Sequence, residues 1–185
     1  GDPLNTIHWK ATARTGKLHV KTYEPSSVIG GTLVLDLHEA SYKPDRKEER
    51  MELAITTTAS IAYLLQISGE QVGMITNARD AAEVAQFEVA AQQTLARTDA
   101  DASVVGEAEP TRLSPLHVPT RRSPVQALQI AESLARVLPG ASLDVEELIR
   151  NEYQRLPRHA SLLPVVPGVT ERLATLLAEM KLNGF

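Results

Sequence analysis

The sequence predicts an α/β fold, a three-layer sandwich in which helices cover both faces of a mainly parallel sheet. Apolar runs of strand length alternate with helical patterns along the chain, which is typical of this class. Most of these runs are continuously apolar, as in strands that are buried on both faces. One long helical pattern separates the first two such runs, and this arrangement predicts a βαβ unit with parallel strands.

The first half of the chain supplies that unit. Lys17–Tyr23 alternates between apolar and polar residues and predicts a strand with one wet face. Gly30–Leu37 is apolar throughout and predicts a buried strand. Lys47 to about Ser68 carries apolar residues at helical spacing, and Gln71–Thr76 predicts the second parallel strand. Residues that we expect on the inner side of the helix are Met51, Ile55, Ala59 and Ala62.

The middle of the chain predicts a helix, a loop and a second helix. Asp80–Arg97 is rich in alanine and opens with a capping-box spacing, so we expect a helix. Thr98–Ser114 is acidic, with small residues between the charges, and predicts a mobile loop. Ser123-Pro124-Val125-Gln126 is a helix start, and the helix should run to Pro139-Gly140. Its expected inner face consists of Val125, Leu128, Ala131, Leu134 and Ala135.

Three further elements complete the predicted fold. Ser142 should cap a helix that ends at about Arg155. Ala160–Val166 predicts a third apolar strand, in which Pro164 lacks a backbone donor. Thr170 should cap the last helix, which places Leu173, Leu176, Leu177 and Met180 on its inner side.

The composition fits one globular domain over residues 1–185 and excludes several classes of protein. The chain has 43% hydrophobic residues and no cysteine, which excludes disulfides, thiolate zinc sites and cysteine nucleophiles. A net charge of −4 and an aromatic content of 4% argue against a nucleic-acid partner. Neither end resembles a natural terminus: Gly1-Asp2 is not a start, and after Asn183-Gly184 an α/β chain would continue with a strand. We therefore expect a piece of a longer protein, incomplete at the C-terminal end of the fold.

The sequence carries no recognisable catalytic motif. The sequence contains no phosphate-binding glycine loop and no nucleophile elbow, and Ser60 and Ser68 fall on the predicted long helix, where a structural role is the natural interpretation. The histidines form no helical metal-binding pair, and His38-Glu39 reads as a polar pair at a strand end. We therefore predict no catalytic residue and no cofactor.

Asp36 is the most suggestive single residue. It ends an apolar strand, and ligands of open α/β sheets bind outside the carboxyl ends of strands. A carboxylate there could hold a divalent cation, or it could accept backbone N–H bonds in the strand-to-loop turn. We favour the turn.

Residues 7–18 form a basic strip that contains the only tryptophan of the sequence, Trp9. This strip could contact phosphate or an acidic partner. Alternatively, Trp9 could cover the sheet edge while Arg14 pairs with Asp2, which is the commoner fate of such residues.

The same residues carry a family resemblance. The N-terminal segment, residues 1–29, resembles the signature of the bacterial "domain of unknown function 58" family. The pattern continues in order through Leu33–Leu37, Glu49–Glu52 and Val72–Asn77. The signature positions in residues 1–29 are Asp2, Ile7, Trp9, Arg14, Gly16 and Leu18.

The resemblance implies a von Willebrand factor A-type fold, whose metal-dependent adhesion site uses a D-x-S-x-S loop after the first strand. The matching positions here are Asp36, His38 and Ala40, so both hydroxyl ligands are missing. Thr120 is the candidate for the later threonine, and Pro167-Gly168 stands where the usual aspartate would be. Since such a site needs several oxygen ligands, we do not expect it to bind Mg²⁺ or Mn²⁺.

Family members generally have two membrane-spanning helices before a cytoplasmic domain and are often encoded beside MoxR-type AAA+ ATPases. The resemblance therefore implies a protein-interaction domain on the cytoplasmic face of a bacterial membrane. We expect it to bind through the loop after Asp36 and through residues 98–114. One alternative is a cation-dependent binding domain that uses Asp36 with Glu39 or Thr120. Another is a hydrolase site built from His8, His38 and Asp36.

Overall fold

A computed structural model describes residues 7–19, 30–86, 89, 115–141, 143–158 and 160–182. The strands are β1 (Gly30–Leu35), β2 (Gln71–Thr76), β3 (Arg79–Asp80), β4 (Leu116–Arg121), β5 (Val137–Leu138) and β6 (Ser161–Val165). The helices are α1 (Trp9–Thr15), α2 (Lys47–Ile67), α3 (helical at residues 81–86), α4 (Gln126–Leu134), α5 (Val145–Glu152) and α6 (Glu171–Leu182).

The main sheet has four strands in the order β4-β2-β1-β6. The central strand β1 is parallel to both β2 and β6, while β4 runs antiparallel to β2. The strands β3 and β5 form a separate antiparallel pair. The predicted βαβ unit and the mainly parallel sheet are therefore confirmed.

Two helical layers enclose the sheet. On one face, α2 and α4 pack against Leu33, Leu35 and Met74. On the other face, α5 and α6 pack against Val34 and Ile75. Alternate residues of the strands thus enter different cores, as the pleat requires. The result is the predicted three-layer α/β sandwich, consistent with a von Willebrand factor A-type architecture.

Pro164 lies in β6, one of the two outer strands of the described four-stranded sheet. The backbone N–H of Asp36 donates to the Val165 carbonyl oxygen (3.1 Å), so Val165 directs its polar groups towards β1. The neighbouring residue Pro164 therefore directs its nitrogen away from β1, where no donor is needed. This explains how the sequence tolerates proline in the strand.

The N-terminal prediction differs most from the structure. Residues 9–15 form α1, which was not predicted, and Gly16 ends it with a left-handed backbone (φ +69°). Residues 17–19 are not in a strand, so the predicted strand over Lys17–Tyr23 is wrong for that part, while residues 20–23 lie outside the described residues. Trp9 is 61% exposed and is not buried against the sheet.

The helix after Ser123 is shorter than predicted, and it buries a different set of residues. It ends at Leu134, and Val137–Leu138 then pairs with β3, so the predicted extension to Pro139-Gly140 is wrong. Its buried residues are Gln126, Ile130 and Leu134, whereas Val125, Leu128, Ala131 and Ala135 are exposed. The polar Gln126 is buried because its Nε2 donates to the Pro119 carbonyl oxygen (2.7 Å).

The remaining helices agree better. The helix α5 is capped by Asp144, whose Oδ1 accepts from the Glu147 N–H (2.7 Å), and not by Ser142, which lies outside the described residues. Thr170 caps α6 as predicted. The predicted helix over 80–97 is confirmed at residues 81–86; residues 90–97 and the predicted acidic loop over 98–114 lie outside the described residues. No helix in the described part of the chain combines the length and apolar character needed to cross a bilayer.

Candidate functional site

Asp36 follows β1 directly and is 2% exposed. Its Oδ1 accepts two hydrogen bonds, from the His38 backbone N–H (2.9 Å) and from Nδ2 of Asn77 (2.8 Å). Its main-chain oxygen accepts from the Tyr42 hydroxyl (2.7 Å). The interpretation of Asp36 as the organiser of a strand-to-loop turn is therefore confirmed.

Asn77 follows β2 and was not singled out from the sequence. Its Oδ1 accepts from the Leu37 backbone N–H (2.7 Å), and Nδ2 donates both to Asp36 Oδ1 and to the Leu143 carbonyl oxygen (3.0 Å). One buried amide therefore joins the ends of two strands to the loop before α5. Because carboxyl ends of adjacent parallel strands lie side by side, a polar residue directly after β2 was the signal that could have identified it.

The loop around Gly140 closes onto the turn after Asp36. The Glu39 N–H donates to the Gly140 carbonyl oxygen (2.9 Å), and the Gly140 N–H donates to the Leu37 oxygen (3.4 Å). Arg79 holds the same loop through a hydrogen bond from Nη2 to the Pro139 oxygen (3.3 Å). Its Nε is buried and has no hydrogen-bond partner among the described residues. This edge of the sheet is therefore tied together by main-chain and amide hydrogen bonds.

Two pKa shifts describe the electrostatics of the edge. Lys47, whose Nζ lies 2.9 Å from Glu39 Oε2, lowers the pKa of that exposed carboxyl. Burial, followed by the negative charge of Asp36, raises the pKa of Tyr42 to about 12. At neutral pH Tyr42 is therefore a hydrogen-bond donor, and Glu39 is an ion paired with Lys47.

The residues proposed for a cation do not come together. The hydroxyl groups of Thr120 and Thr32 are hydrogen-bonded to each other (2.6 Å). Because β4 is antiparallel, this pair lies towards the opposite end of β1 from Asp36. Glu39 is paired with Lys47, and Nδ1 of His38 accepts from the Ala40 N–H (3.3 Å). Among the described residues no group of three His, Asp or Glu side chains could hold a metal.

The arrangement around Asp36 therefore does not fit the adhesion-site cation of the fold. A cation needs several oxygen ligands, whereas Oδ1 of Asp36 faces two N–H donors and no group of three His, Asp or Glu side chains stands together in the described part of the chain. Those donors stabilise the carboxylate in place of a cation.

The proposed hydrolase constellation is also not assembled by hydrogen bonds. Nδ1 of His8 accepts from the Ala11 N–H (3.1 Å) and caps α1, and His38 caps the short 3₁₀ turn Glu39–Ser41 in the same way. Each imidazole thus has a local structural role.

The remaining signature residues Ile7, Arg14 and Leu18 lie in or beside α1, which buries none of its residues. Asp2 lies outside the described residues, so the proposed pairing with Arg14 does as well.

Comparison with known proteins adds one finding. Residues 1–112 match the model of the family described as protein of unknown function DUF58. The matched residues include both Asp36 and Asn77. No curated protein and no solved structure matches the chain.

Proposed function

The chain belongs to the family described as protein of unknown function DUF58, and on that premise we propose that it is a non-catalytic protein-interaction domain. We propose that its parent protein is anchored in a bacterial membrane and works with a MoxR-type AAA+ ATPase on the cytoplasmic face. The observation that carries the first proposal is the network of Asp36 and Asn77. Their polar groups hold strand ends and loops together, a structural use that favours binding over chemistry.

The binding surface that we propose lies directly outside this network. We define the strand-end surface as the exposed segments of the loops at the carboxyl ends of β1 and β6, namely residues 39–41 and 167–169. Val169 is 73% exposed there. The main-chain hydrogen bond from the Glu39 N–H to the Gly140 oxygen fixes the first segment before any partner arrives. A surface that is already ordered loses little conformational entropy on binding, which favours affinity.

The charge of this surface suggests what kind of partner it would accept. Glu39 is neutralised by its ion pair with Lys47, and the other side chains of the surface are uncharged. Binding would therefore depend on shape and on small apolar contacts at Ala40, Pro167 and Val169, and would change little with salt.

Co-purification from native membranes tests the proposal. We expect the tagged parent protein to recover an AAA+ ATPase, and Ala40→Arg or Val169→Arg to reduce that recovery about tenfold. Leu182→Arg is the matched control, because Leu182 is an exposed apolar residue at the opposite end of α6 from Val169. Recovery of no AAA+ ATPase would contradict the proposed partnership. Equal recovery with all variants would exclude the strand-end surface.

A further inference from the structure

The outer face of α2 is unusual for an exposed helix. Residues 53–69 contain no charged side chain. The inner face of α2 buries Met51, Ala54, Thr58 and Ala62 against the sheet. A helix that lies on the surface of a domain normally carries charged or polar residues on its outer side, and one that is hydrophobic all round is buried.

A continuous stripe runs along this outer face. Its four large side chains are between 57% and 65% exposed. We define the α2 stripe as the exposed residues at spacings of three and four, which lie on one side of a helix: Leu53, Thr56, Ser60, Tyr63, Leu64 and Ile67. Such a contiguous exposed patch marks an interaction surface.

The distribution of sizes along the stripe makes it complementary to itself. Ser60 lies midway between Leu53 and Ile67, and small residues occupy the N-terminal half next to it, while large ones occupy the C-terminal half. We propose that a second copy of this chain covers the stripe, with the two α2 helices antiparallel about a two-fold axis at Ser60. Leu53 of each copy then lies level with Ile67 of the other, and Thr56 lies level with Leu64. Such reciprocal contacts are the rule in two-fold symmetric dimers.

A groove beside the stripe supports the same arrangement. A cavity of about 480 Å³ lies between α2 and β6, lined by Leu53, Thr57 and Ile61 on one side and by residues 164–167 on the other. In the antiparallel pair, Leu64 of the second copy lies opposite Thr56, which is next to Thr57. It therefore reaches the mouth of this groove, whose lining also includes Arg50.

The charges at the two ends of α2 also complement each other. The first turns carry three glutamates, Glu48, Glu49 and Glu52, against two cations, Lys47 and Arg50. At the other end, the Arg122 guanidinium lies 3.0 Å from where a side chain on Gly69 would begin. Antiparallel pairing brings Gly69 level with Met51 of the second copy, and Arg122 therefore comes between the levels of Glu49 and Glu52, which outnumber the single cation Arg50 there. The antiparallel helix dipoles add a small favourable contribution.

The size of the contact sets the expected affinity. From Leu53 to Ile67 the stripe is about 21 Å long, at 1.5 Å per residue. A contact of this length lies at the small end of specific interfaces, so we expect a dissociation constant in the micromolar range. The proposal does not depend on an ATPase partner, and its failure would leave the proposed function unaffected.

Sedimentation equilibrium of the 185-residue chain tests the proposal directly. We expect a monomer–dimer equilibrium that Ser60→Arg weakens at least about tenfold, because two cations would meet at the axis. Thr175→Arg on α6 is the matched control. Both side chains are exposed hydroxyls that donate to the carbonyl oxygen four residues earlier, Ser60 to Thr56 (2.7 Å) and Thr175 to Glu171 (2.9 Å). Circular dichroism should show the same fold for both variants.

Cross-linking tests the geometry, since the chain has no cysteine of its own. Ser60→Cys should form a disulfide-linked dimer under mild oxidation, while Thr175→Cys should not. A mixture of Leu53→Cys and Ile67→Cys chains should cross-link more than either chain alone.

Three results would overturn the proposal. The first is a monomer up to about 300 μM, well above a micromolar dissociation constant. The second is a dimer that Ser60→Arg leaves intact, which would place the contact elsewhere. The third is a monomer that binds anionic lipid vesicles, or the helix of another protein, with the same sensitivity to Ser60→Arg, because the stripe would then have a different occupant.

Discussion

Replacing Asn77 with alanine should lower the free energy of unfolding by about 3–5 kcal/mol. The substitution removes three hydrogen bonds, at 2.7, 2.8 and 3.0 Å. The buried Leu37 N–H would lose its acceptor, at a cost of about 1–3 kcal/mol. Asp36 would lose a charge-assisted donor, which adds about 1.5–3 kcal/mol. The bond to Leu143 is only partly buried and adds less.

Urea unfolding followed by far-ultraviolet circular dichroism is the appropriate assay, because the single tryptophan is exposed in α1 and reports poorly on the core. The matched control is Asn151→Ala on the exposed side of α5, which should change stability by less than about 0.5 kcal/mol. The reasoning is refuted if Asn77→Ala costs less than about 1 kcal/mol, since the amide would then not hold the strand ends together.

Asn77→Asp separates the loss of a donor from the loss of a side chain. It keeps an acceptor for the Leu37 N–H but places a second carboxyl about 2.8 Å from that of Asp36. Since two such carboxyls cannot both ionise at low cost, the pKa of the pair should rise. A raised pKa stabilises the fold at acidic pH, and that stability is lost as pH increases. The variant should therefore recover stability on acidification, whereas Asn77→Ala should not.

Three other measurements probe the same fold. A Cβ on Gly73 would lie 2.5 Å from the backbone of Thr120, so Gly73→Ala should cost about 3 kcal/mol or more, whereas Gly168→Ala, with nothing within 4 Å, should cost almost nothing. The pKa of Tyr42 is raised from 10.0 to about 12, so stability should fall as pH rises through that window, and Tyr42→Phe should flatten the fall in the urea midpoint. Millimolar Mg²⁺ or Mn²⁺ should leave Tm unchanged, because no group of three His, Asp or Glu side chains among the described residues could hold the ion; a rise in Tm would contradict this.

Asp36 shows what the sequence could predict about the candidate site. Its position at the end of a continuously apolar strand was sufficient to predict a polar role at the carboxyl edge, and the expected turn is present in the hydrogen bond from the His38 N–H. Asn77 occupies the equivalent position after β2, but it stands in a short run with no motif around it. Pairing the two requires knowledge that β1 and β2 are adjacent, which the βαβ pattern predicts. The Leu143 contact requires the path of a loop, which no local pattern encodes.

Thr120 shows where sequence reasoning fails for a physical reason. The segment Leu116–Arg121 contains Pro119 and lacks a clear alternation, so it gave no strand signal. Without the strand, its direction was unknown. An antiparallel strand beside β2 puts Thr120 level with Gly73, towards the far end of the sheet from Asp36. The direction of the strand therefore keeps Thr120 away from Asp36, whatever the chemistry of its side chain.

The helix α4 shows a related limit. Hydrophobic periodicity assigned Leu128 to the inner face, yet it is 58% exposed, while Gln126 is buried. The glutamine lies inside because its amide serves two partners at once, donating to the Pro119 oxygen and accepting from Nε of Arg121 (3.0 Å). Hydrophobic periodicity considers apolar side chains only. It cannot include the hydrogen bonds to β4, which exist only once the helix has packed against that strand.

The same reasoning explains why the α2 stripe emerges only from the fold. The sequence correctly placed Met51 and Ala62 on the inner side of a long helix, with Ile55 and Ala59 packed beside them. An uncharged helical segment such as residues 53–67 fits equally well in the middle of a protein or against a partner, and its sequence does not distinguish the two. The sheet lies on one side only, so Tyr63 and Ile67 are left exposed. A charge at Ser60 would therefore leave the folded monomer intact while disrupting a dimer, and this makes association measurable separately from folding.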